Sequence, residues 1–384
     1  HPRQRSGVRR DIATRDTLWR PGDMADPVPC RVHVDLGSRA AAGDISMTGT
    51  QKVSISVIMP AFRAEQLLGR VLPPLIGMLQ RGEVAEVIVV DDQSPDRTAE
   101  VAEQMGARVL TTPANGGPGV ARNLAAEVAV GDVLWFVDSD VIAWDDGARR
   151  LQEDFADPTV AAVFGSYDTT PEGGWFARYK NLMHRYYHQT ARRTAKTFWA
   201  GCGAVRADMF RKVGGFDVAT YRVPSIEDIE LGYRLHAAGG VICVDPELLG
   251  KHLKVWSMRQ AIHTDIFRRA LPWSRLMIAR EGLGDDLNTS RGERLRAILA
   301  GCLVLSILAV PFAPSLWWLP LAVFVMAIAA NARLFAFFVR HLGLMRAVAA
   351  LLYHQLYYVY SAGSFAWCLF EYHVLGVKDR LHVP

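Results

Sequence analysis

The chain has 384 residues, half of them apolar, and a formal net charge of +4. That length supports two domains, or one large domain with appendages, around a sizeable core. The charge balance is too mild to argue for a nucleic-acid or acidic partner, and the five cysteines lack the Cys-x-x-Cys spacing of a zinc or redox framework. The apolar excess gathers after residue 296.

Residues 1–50 mix Arg, Asp, Gly and Pro without apolar periodicity and read as a disordered N-terminal extension. Ile55–Met59 is a strand closed by Pro60. Leu67, Leu68, Val71, Leu72 and Leu75 recur at helical spacing, interrupted by Pro73 and Pro74. A second strand over Glu86–Val90 runs into Asp91 and Asp92. Ser94 and Pro95 then open a helix, as its cap and first residue. Arg108–Leu110 is a short third strand, and the Asn115–Gly119 loop leads into a helix over Val120–Val130. Val133–Val137 is apolar at every position, as a strand buried on both faces should be, and it ends in Asp138-Ser139-Asp140. Ala161–Phe164 is a fifth strand. The alternation predicts an α/β fold with a doubly wound, mostly parallel sheet over residues 51–255.

Three of these strands end in chemistry at one sheet edge: Pro60-Ala61-Phe62, Asp91-Asp92 and Asp138-Ser139-Asp140. Their convergence on a crevice reads as a nucleotide site. Asp-x-Asp suits a hard cation such as Mg²⁺ or Mn²⁺ bridging to a phosphate, and it also serves as a plain turn. Arg122, near a helix start, suits a diphosphate or a surface ion pair. Neither the phosphate loop of ATPases nor a dinucleotide fingerprint is present. Ser225-Ile226-Glu227-Asp228 has the spacing of a capping box with Asp228 as its third helical residue. Glu230 and Arg234 form an i,i+4 pair behind it.

The ordered set Val57–Phe62, Val89–Thr98, Ala121-Arg122-Asn123, Asp138-Ser139-Asp140, Gly201–Ala204, Gly214–Asp217 and Glu227–Leu231 resembles family 2 of the inverting, GT-A-fold glycosyltransferases, over about residues 54 to 280. The family more often has Gly where Gln93 stands. The resemblance implies that Pro60, Ala61, Asp91, Asp92, Arg122, Asp138 and Glu227 meet a nucleotide-sugar donor, a UDP-sugar by family habit. It implies that Asp140 and His252 hold a divalent cation, Mn²⁺ or Mg²⁺, and that Asp228 is the general base rather than only a cap. The chemistry asks for these types. A cation offsets charge on the departing diphosphate, a carboxylate takes the acceptor's proton, and a single displacement inverts the anomeric carbon.

Trp175–Thr197 interleaves aromatic and basic residues, a mixture that suits RNA, an anionic membrane surface or a solvated face. Without a nucleic-acid motif, the membrane or acceptor side is preferred. Met258–Arg280 has the same character and is broken by Pro272, so residues 256–295 read as interfacial helices. Residues 296–384 read as a transmembrane region of two or three helices: a hairpin of Ala297–Pro314 and Ser315–Asn331, then Ala347–Phe370. Arg291, Arg294 and Arg296 before the hairpin and Arg333, Arg340 and Arg346 after it place those ends in the cytoplasm.

The sequence therefore predicts a multi-pass inner-membrane, metal-dependent transferase of cell-envelope glycan biosynthesis. Its catalytic domain faces the cytoplasm, and its acceptor is a lipid-linked or membrane-proximal glycan, or a polyprenyl phosphate, with no nucleic-acid partner. The rivals are a non-catalytic membrane scaffold, against which the retained carboxylates count, and a sugar nucleotidyltransferase, which would release pyrophosphate. The Gln-x-x-Arg-Trp motif of processive synthases is absent, which favours addition of one sugar.

Overall fold

The structure, a computed structural model, describes residues 52–282, 284–285, 287–378 and 381. The expectation of a disordered extension at 1–50 lies outside the described residues. The chain runs β1 (Ile55–Ala61), α1 (Glu65–Gln80), β2 (Glu86–Asp91), α2 (Thr98–Gln104), β3 (Arg108–Thr111), α3 (Gly117–Val128), β4 (Val133–Val137), β5 (Val141–Ala143), α4 (Gly147–Asp154) and β6 (Val160–Tyr167). It continues through α5 (Trp175–Thr190), β7 (Thr194–Ala195), β8 (Cys202–Arg206), α6 (Ala207–Lys212), α7 (Glu227–Ala237) and β9 (Val241–His252).

These strands make one sheet in the order β3-β2-β1-β4-β8-β6-β9-β5, with β7 paired to β9. β1 pairs in parallel with β2 and β4, β2 with β3, and β6 with β9. The pairs β4–β8, β6–β8, β5–β9 and β7–β9 are antiparallel. The sheet is therefore mixed rather than mostly parallel. β8, inserted between β4 and β6, reverses the direction.

Burial explains the strands. Val133–Val137 is fully buried along its length. Val133, Trp135 and Val137 pack into one apolar layer with Leu68, Val71 and Leu75 of α1. Leu134 and Phe136 pack on the other side with Ala121 and Ala125 of α3. Side chains alternate across a strand, so helices cover both faces.

Four local expectations are corrected. β1 runs through Pro60, in register with Val90 of β2. α1 runs through Pro73 and Pro74, with Leu68, Val71, Leu72 and Leu75 buried. Pro73 lies on the exposed face, where solvent reaches the carbonyls it leaves unbonded. α2 begins at Thr98, not at Ser94-Pro95. Gln93 takes a positive φ of 60°, the Asp91 carboxylate accepts from the Ser94 N–H, and Asp96 accepts from the Thr98 N–H and hydroxyl; these side-chain turns compete with the helix. α3 starts at Gly117, three residues early, because its φ of 81° makes the turn there.

After the sheet, Met258–Glu281 is one helical segment: α8 (Met258–His263), a π-helical stretch (Thr264–Ala270), α9 (Leu271–Leu276) and a second π-helical stretch (Met277–Glu281). Pro272 does not break it. The carbonyl of Arg268, four residues before Pro272, accepts a hydrogen bond from the Ser225 hydroxyl at 2.7 Å. The π-helical turn ahead of the proline gives its ring room.

Four helices follow: α10 (Arg291–Ala309), α11 (Leu319–Ala330), α12 (Ala332–Leu342) and α13 (Leu344–His373). α10 and α11 form the expected hairpin, turning at Pro314–Leu316. Among the described residues no single helix is long and apolar enough to cross a membrane. The segments Pro314–Ala330 and Ala332–Leu342 meet that measure only together, bent by 68°. α13 fails it because one side carries His354, Gln355 and several tyrosines, buried toward the catalytic layer. The aromatic face of α5 is also not a surface. Tyr179 is fully buried and packs edge-on against Phe338 of α12 and Tyr353 of α13, while Lys180 is paired inside the protein with Asp265, at 2.6 Å.

Candidate functional site

Because β1, β2 and β4 are parallel, Ala61, Asp91 and Val137 end at one edge. A cavity of about 1030 Å³ opens there. Pro60, Ala61, Asp92, Arg122, Asp138, Asp140, Glu227, Asp228 and His252 all line it. Asp91 does not; it lies behind the edge and accepts from the Ser94 N–H.

Each side chain has a local reason for its place. The Asp92 carboxylate accepts from the Thr112 hydroxyl and the Gly116 and Gly117 N–H groups, at 2.7 to 2.9 Å. It pins the loop ahead of α3 to the floor of the cavity. Arg122 is not a surface residue. It is buried, donates to Asp138 at 2.6 Å, lies 3.7 Å from Glu227 and stacks on the Phe216 ring. One guanidinium therefore ties the Asp-x-Asp turn to the start of α7.

Asp140 and His252 meet because of strand register. β5 pairs antiparallel to β9 with Val141 opposite His252, and the Leu253 N–H donates to the Asp140 carbonyl. His252 Nε2 lies 3.4 Å from Asp140 Oδ2. Its Nδ1 is 2.7 Å from Asn181 Oδ1, and Asn181 Nδ2 donates to the Lys254 carbonyl. Asn181 is thus the acceptor and His252 Nδ1 carries a proton, which leaves Nε2 directed at the Asp140 carboxylate. A ring nitrogen and a carboxylate oxygen at this distance can share a proton or a cation. Tyr167 stacks flat on the ring, 4.5 Å away, and fixes its plane.

This donor set fits a hard divalent cation completed by phosphate oxygens. Among the described residues no group of three or more His, Cys, Asp or Glu could hold a metal ion, so these residues would supply only part of any shell. Burial opposes ionisation of Asp140, yet the His252 contact holds its carboxyl below the ordinary value. Burial pushes Asp138 up, against the pull of Arg122.

Asp228 does not form the capping box. α7 starts at Glu227 with Ile226 as its uncapped N-cap, and the Ser225 hydroxyl is spent on Arg268. Asp228 accepts instead from the Ala200 N–H at 3.1 Å and the Ile229 N–H at 2.8 Å. Gly232 lets α7 approach this closely: a Cβ there would sit 2.3 Å from the Phe198 nitrogen. Half-buried at the cavity wall, Asp228 has its carboxyl pushed up by burial, partly offset by the Ala200 N–H and by Arg122. Burial and the neighbouring Asp228 raise Glu227 to about 7. Glu230 and Arg234 pair as expected, at 2.6 Å.

Residues 56–214 match the model of glycosyl transferase family 2. The chain carries a glycosyltransferase family 2 domain. A pre-mycofactocin glycosyltransferase of Mycobacterium tuberculosis is 29% identical over 231 residues, which are 56% of this chain and 47% of that one. A 4,4'-diaponeurosporenoate glycosyltransferase of Staphylococcus haemolyticus is 40% identical over 104 residues, 26% of this chain and 27% of that one. The chain spans less than half the length of these curated relatives. Among solved structures, a mannosyltransferase of Pyrobaculum calidifontis, determined with GDP-Man and Mn²⁺, aligns with 82% of this chain and 88% of its own at 19% identity and a TM-score of 0.50; the likeness is one of fold. The glycosyltransferase domain thus has the GT-A-like mixed sheet seen here.

Sequence reasoning missed Asn181 and Tyr167, which orient His252. It also missed Lys254, which lines the cavity 4.2 Å above the Trp256 ring, and the arginines Arg268, Arg269 and Arg294 on the cavity wall. None stands in a recognisable motif. Pairing across distant elements brings them in.

Proposed function

We propose that the chain is a membrane-associated, metal-dependent inverting glycosyltransferase. It moves a sugar from a nucleotide-sugar donor, a UDP-sugar, to a lipid-linked or membrane-proximal acceptor. The observation that carries this reading is that Asp228 shares one cavity with the Asp138, Asp140 and His252 set. A cation on Asp140 and His252 would neutralise the donor diphosphate. Asp138 and Glu227, fixed by Arg122, shape the pocket around the donor. Asp228 accepts the proton of the attacking hydroxyl, and the burial that raises its carboxyl makes it a better base. One base acting in a single displacement inverts the anomeric carbon.

The membrane part rests on the surface of the C-terminal helices. Leu305 and Leu308 of α10, Trp317 at the turn and Leu321 of α11 are at least 60% exposed, and Phe312 is 91% exposed. Large apolar side chains this exposed along one hairpin suit lipid better than water. The arginines at 291, 294, 296, 333, 340 and 346 favour a cytoplasmic face of the inner membrane for the catalytic domain.

The test is a screen of nucleotide sugars for thermal stabilisation with Mn²⁺, followed by transfer assays of Asp140→Ala and Asp228→Asn. Donor-dependent stabilisation that Asp140→Ala loses, with transfer abolished in Asp228→Asn, supports the reading. Transfer unchanged in both variants overturns it.

A further inference from the structure

Past β9 the chain keeps the alternation of the strand. The Leu253 N–H donates to the Asp140 carbonyl, one rung beyond the Val141–His252 pair. Side chains alternate across an extended chain. Leu253 is accordingly buried in the apolar layer with Val137 and Val141, while His252 and Lys254 both line the cavity. The lysine and the histidine of the cation site thus face one space, two residues apart.

Two contacts hold Lys254 there. The Asn181 amide, 2% exposed, donates to the Lys254 carbonyl at 3.3 Å and meets His252 Nδ1 at 2.7 Å. One buried side chain therefore sets both residues. The buried Trp256 ring lies 4.2 Å from the ammonium and supports it from one side. Among the described residues the ammonium has no hydrogen bond and no carboxylate within 4 Å. Its three N–H donors are left for a ligand in the cavity.

Two arginines on the cavity wall are committed elsewhere. Arg122 donates to Asp138 at 2.6 Å and stands 3.7 Å from Glu227. Arg269 lies 3.8 Å from Asp265. A nucleoside diphosphate gains one negative charge when its bond to a sugar breaks, and a divalent cation that has Asp140 as a ligand has part of its charge cancelled already. A further positive group beside that cation is what the departing diphosphate needs. The sheet order indicates which phosphate it meets. Asp92 follows β2 and Lys254 follows β9, toward opposite ends of the sheet. A nucleoside at the Asp92 end leaves its terminal phosphate nearer Lys254.

We infer, on the glycosyl-transfer reading above, that Lys254 binds the terminal phosphate of the nucleoside diphosphate, beside the cation and independently of it. The acceptor's oxygen bonds to the anomeric carbon as the bond from that carbon to the diphosphate oxygen breaks. The electron pair stays on the diphosphate, where the ammonium offsets it, and the acceptor's proton goes to Asp228.

The test uses the full chain in a neutral detergent, titrated calorimetrically with UDP and with UMP, which lacks the terminal phosphate. Each titration is run with Mn²⁺ and again in EDTA. Wild type should prefer UDP in both conditions. Lys254→Met, whose stem still covers Trp256, should weaken UDP by about tenfold or more and UMP by less than about twofold. In EDTA it should lose the preference altogether, and Lys254→Arg should regain part of it. Lys254→Gln replaces the methionine variant if that one melts early. UDP bound by the methionine or glutamine variant as tightly as by wild type overturns the inference. So does an equal loss for UMP and UDP, which marks a damaged pocket rather than a lost phosphate contact. In either case UDP binding by wild type leaves the donor reading standing. Wild type that binds neither nucleotide sinks the donor reading as well.

Discussion

Lys180→Met tests the joint between the catalytic layer and the C-terminal helices. Lys180 and Asp265 are both buried, 0% and 3% exposed, and the ammonium contacts both carboxylate oxygens at 2.6 and 2.7 Å. Burial lowers the Lys180 amine to about 8, against the pull of Asp265. The pair is therefore weakly stabilising as a whole, yet costly to break from one side. With Lys180 gone, Asp265 keeps the Tyr360 hydroxyl and the distant Arg269. It must then take up a proton, and protonating an ordinary aspartate at pH 7 costs about 4 kcal/mol. This agrees with the roughly 3–5 kcal/mol typical of a broken buried pair. At about 2 °C per kcal/mol for a chain of this size, the melting temperature should fall by about 8 °C. Protonation is then the main cost, so the deficit at pH 7 should shrink markedly near pH 4. The double variant Lys180→Met with Asp265→Leu should recover most of the loss at both values. Circular dichroism melts of the three proteins in one detergent decide the matter. A deficit that does not change with pH, or a double variant as unstable as the single, would refute the electrostatic account.

Asp154 offers a second pH test. Burial and Asp245 raise its carboxyl to about 8. For a raised carboxyl, stability is full below the unfolded value near 3.8 and is lost as pH climbs to about 8. Asp154→Asn should therefore melt higher than wild type at pH 8 and equally at pH 4; a parallel offset at both values would contradict this. Asn181→Leu removes the acceptor that fixes the His252 tautomer and should weaken Mn²⁺ binding to the UDP complex by about tenfold, read by titration of Mn²⁺ with electron paramagnetic resonance. Unchanged affinity would show that His252 is held by Tyr167 alone. The bare α10–α11 hairpin should carry the full chain to the top of a flotation gradient with vesicles of anionic lipid. Phe312→Asp with Leu308→Asp should reduce that fraction at least about threefold; recovery of both proteins in the aqueous fraction would reject membrane association.

The parts of the fold legible in the sequence were those whose burial leaves a local trace. Val133–Val137 is apolar throughout because both faces are covered, and that same run delivered Asp138 and Asp140 to the right edge. β8 and β9 left no such trace. Cys202–Arg206 is short and contains Gly203, and β9 carries Asp245, Pro246 and Glu247 where its pairing to β6 shifts register. Their antiparallel partners lie far away in sequence, so the mixed sheet was out of reach. The site followed the same division. Carboxylates at strand ends could be named, but the Asp140–His252 contact depends on β5–β9 register, and the capping-box spacing at Ser225 misled because its hydroxyl had a distant partner. The basic, aromatic character of α5 likewise suggests a surface. Only packing reveals that Lys180 has Asp265 and that Tyr179 has α12 and α13.

The hydrogen bond from Ser225 to the Arg268 carbonyl also binds two positions into one unit of inheritance. The Arg268 carbonyl lies four residues before Pro272, which has no N–H, and Ser225, 43 residues earlier in the chain than Arg268, donates to it. Threonine at 225 would keep a hydroxyl for this bond, whereas alanine would remove it. Drift in the helix that carries Arg268 is thus passed through this bond to the loop that leads to Asp228.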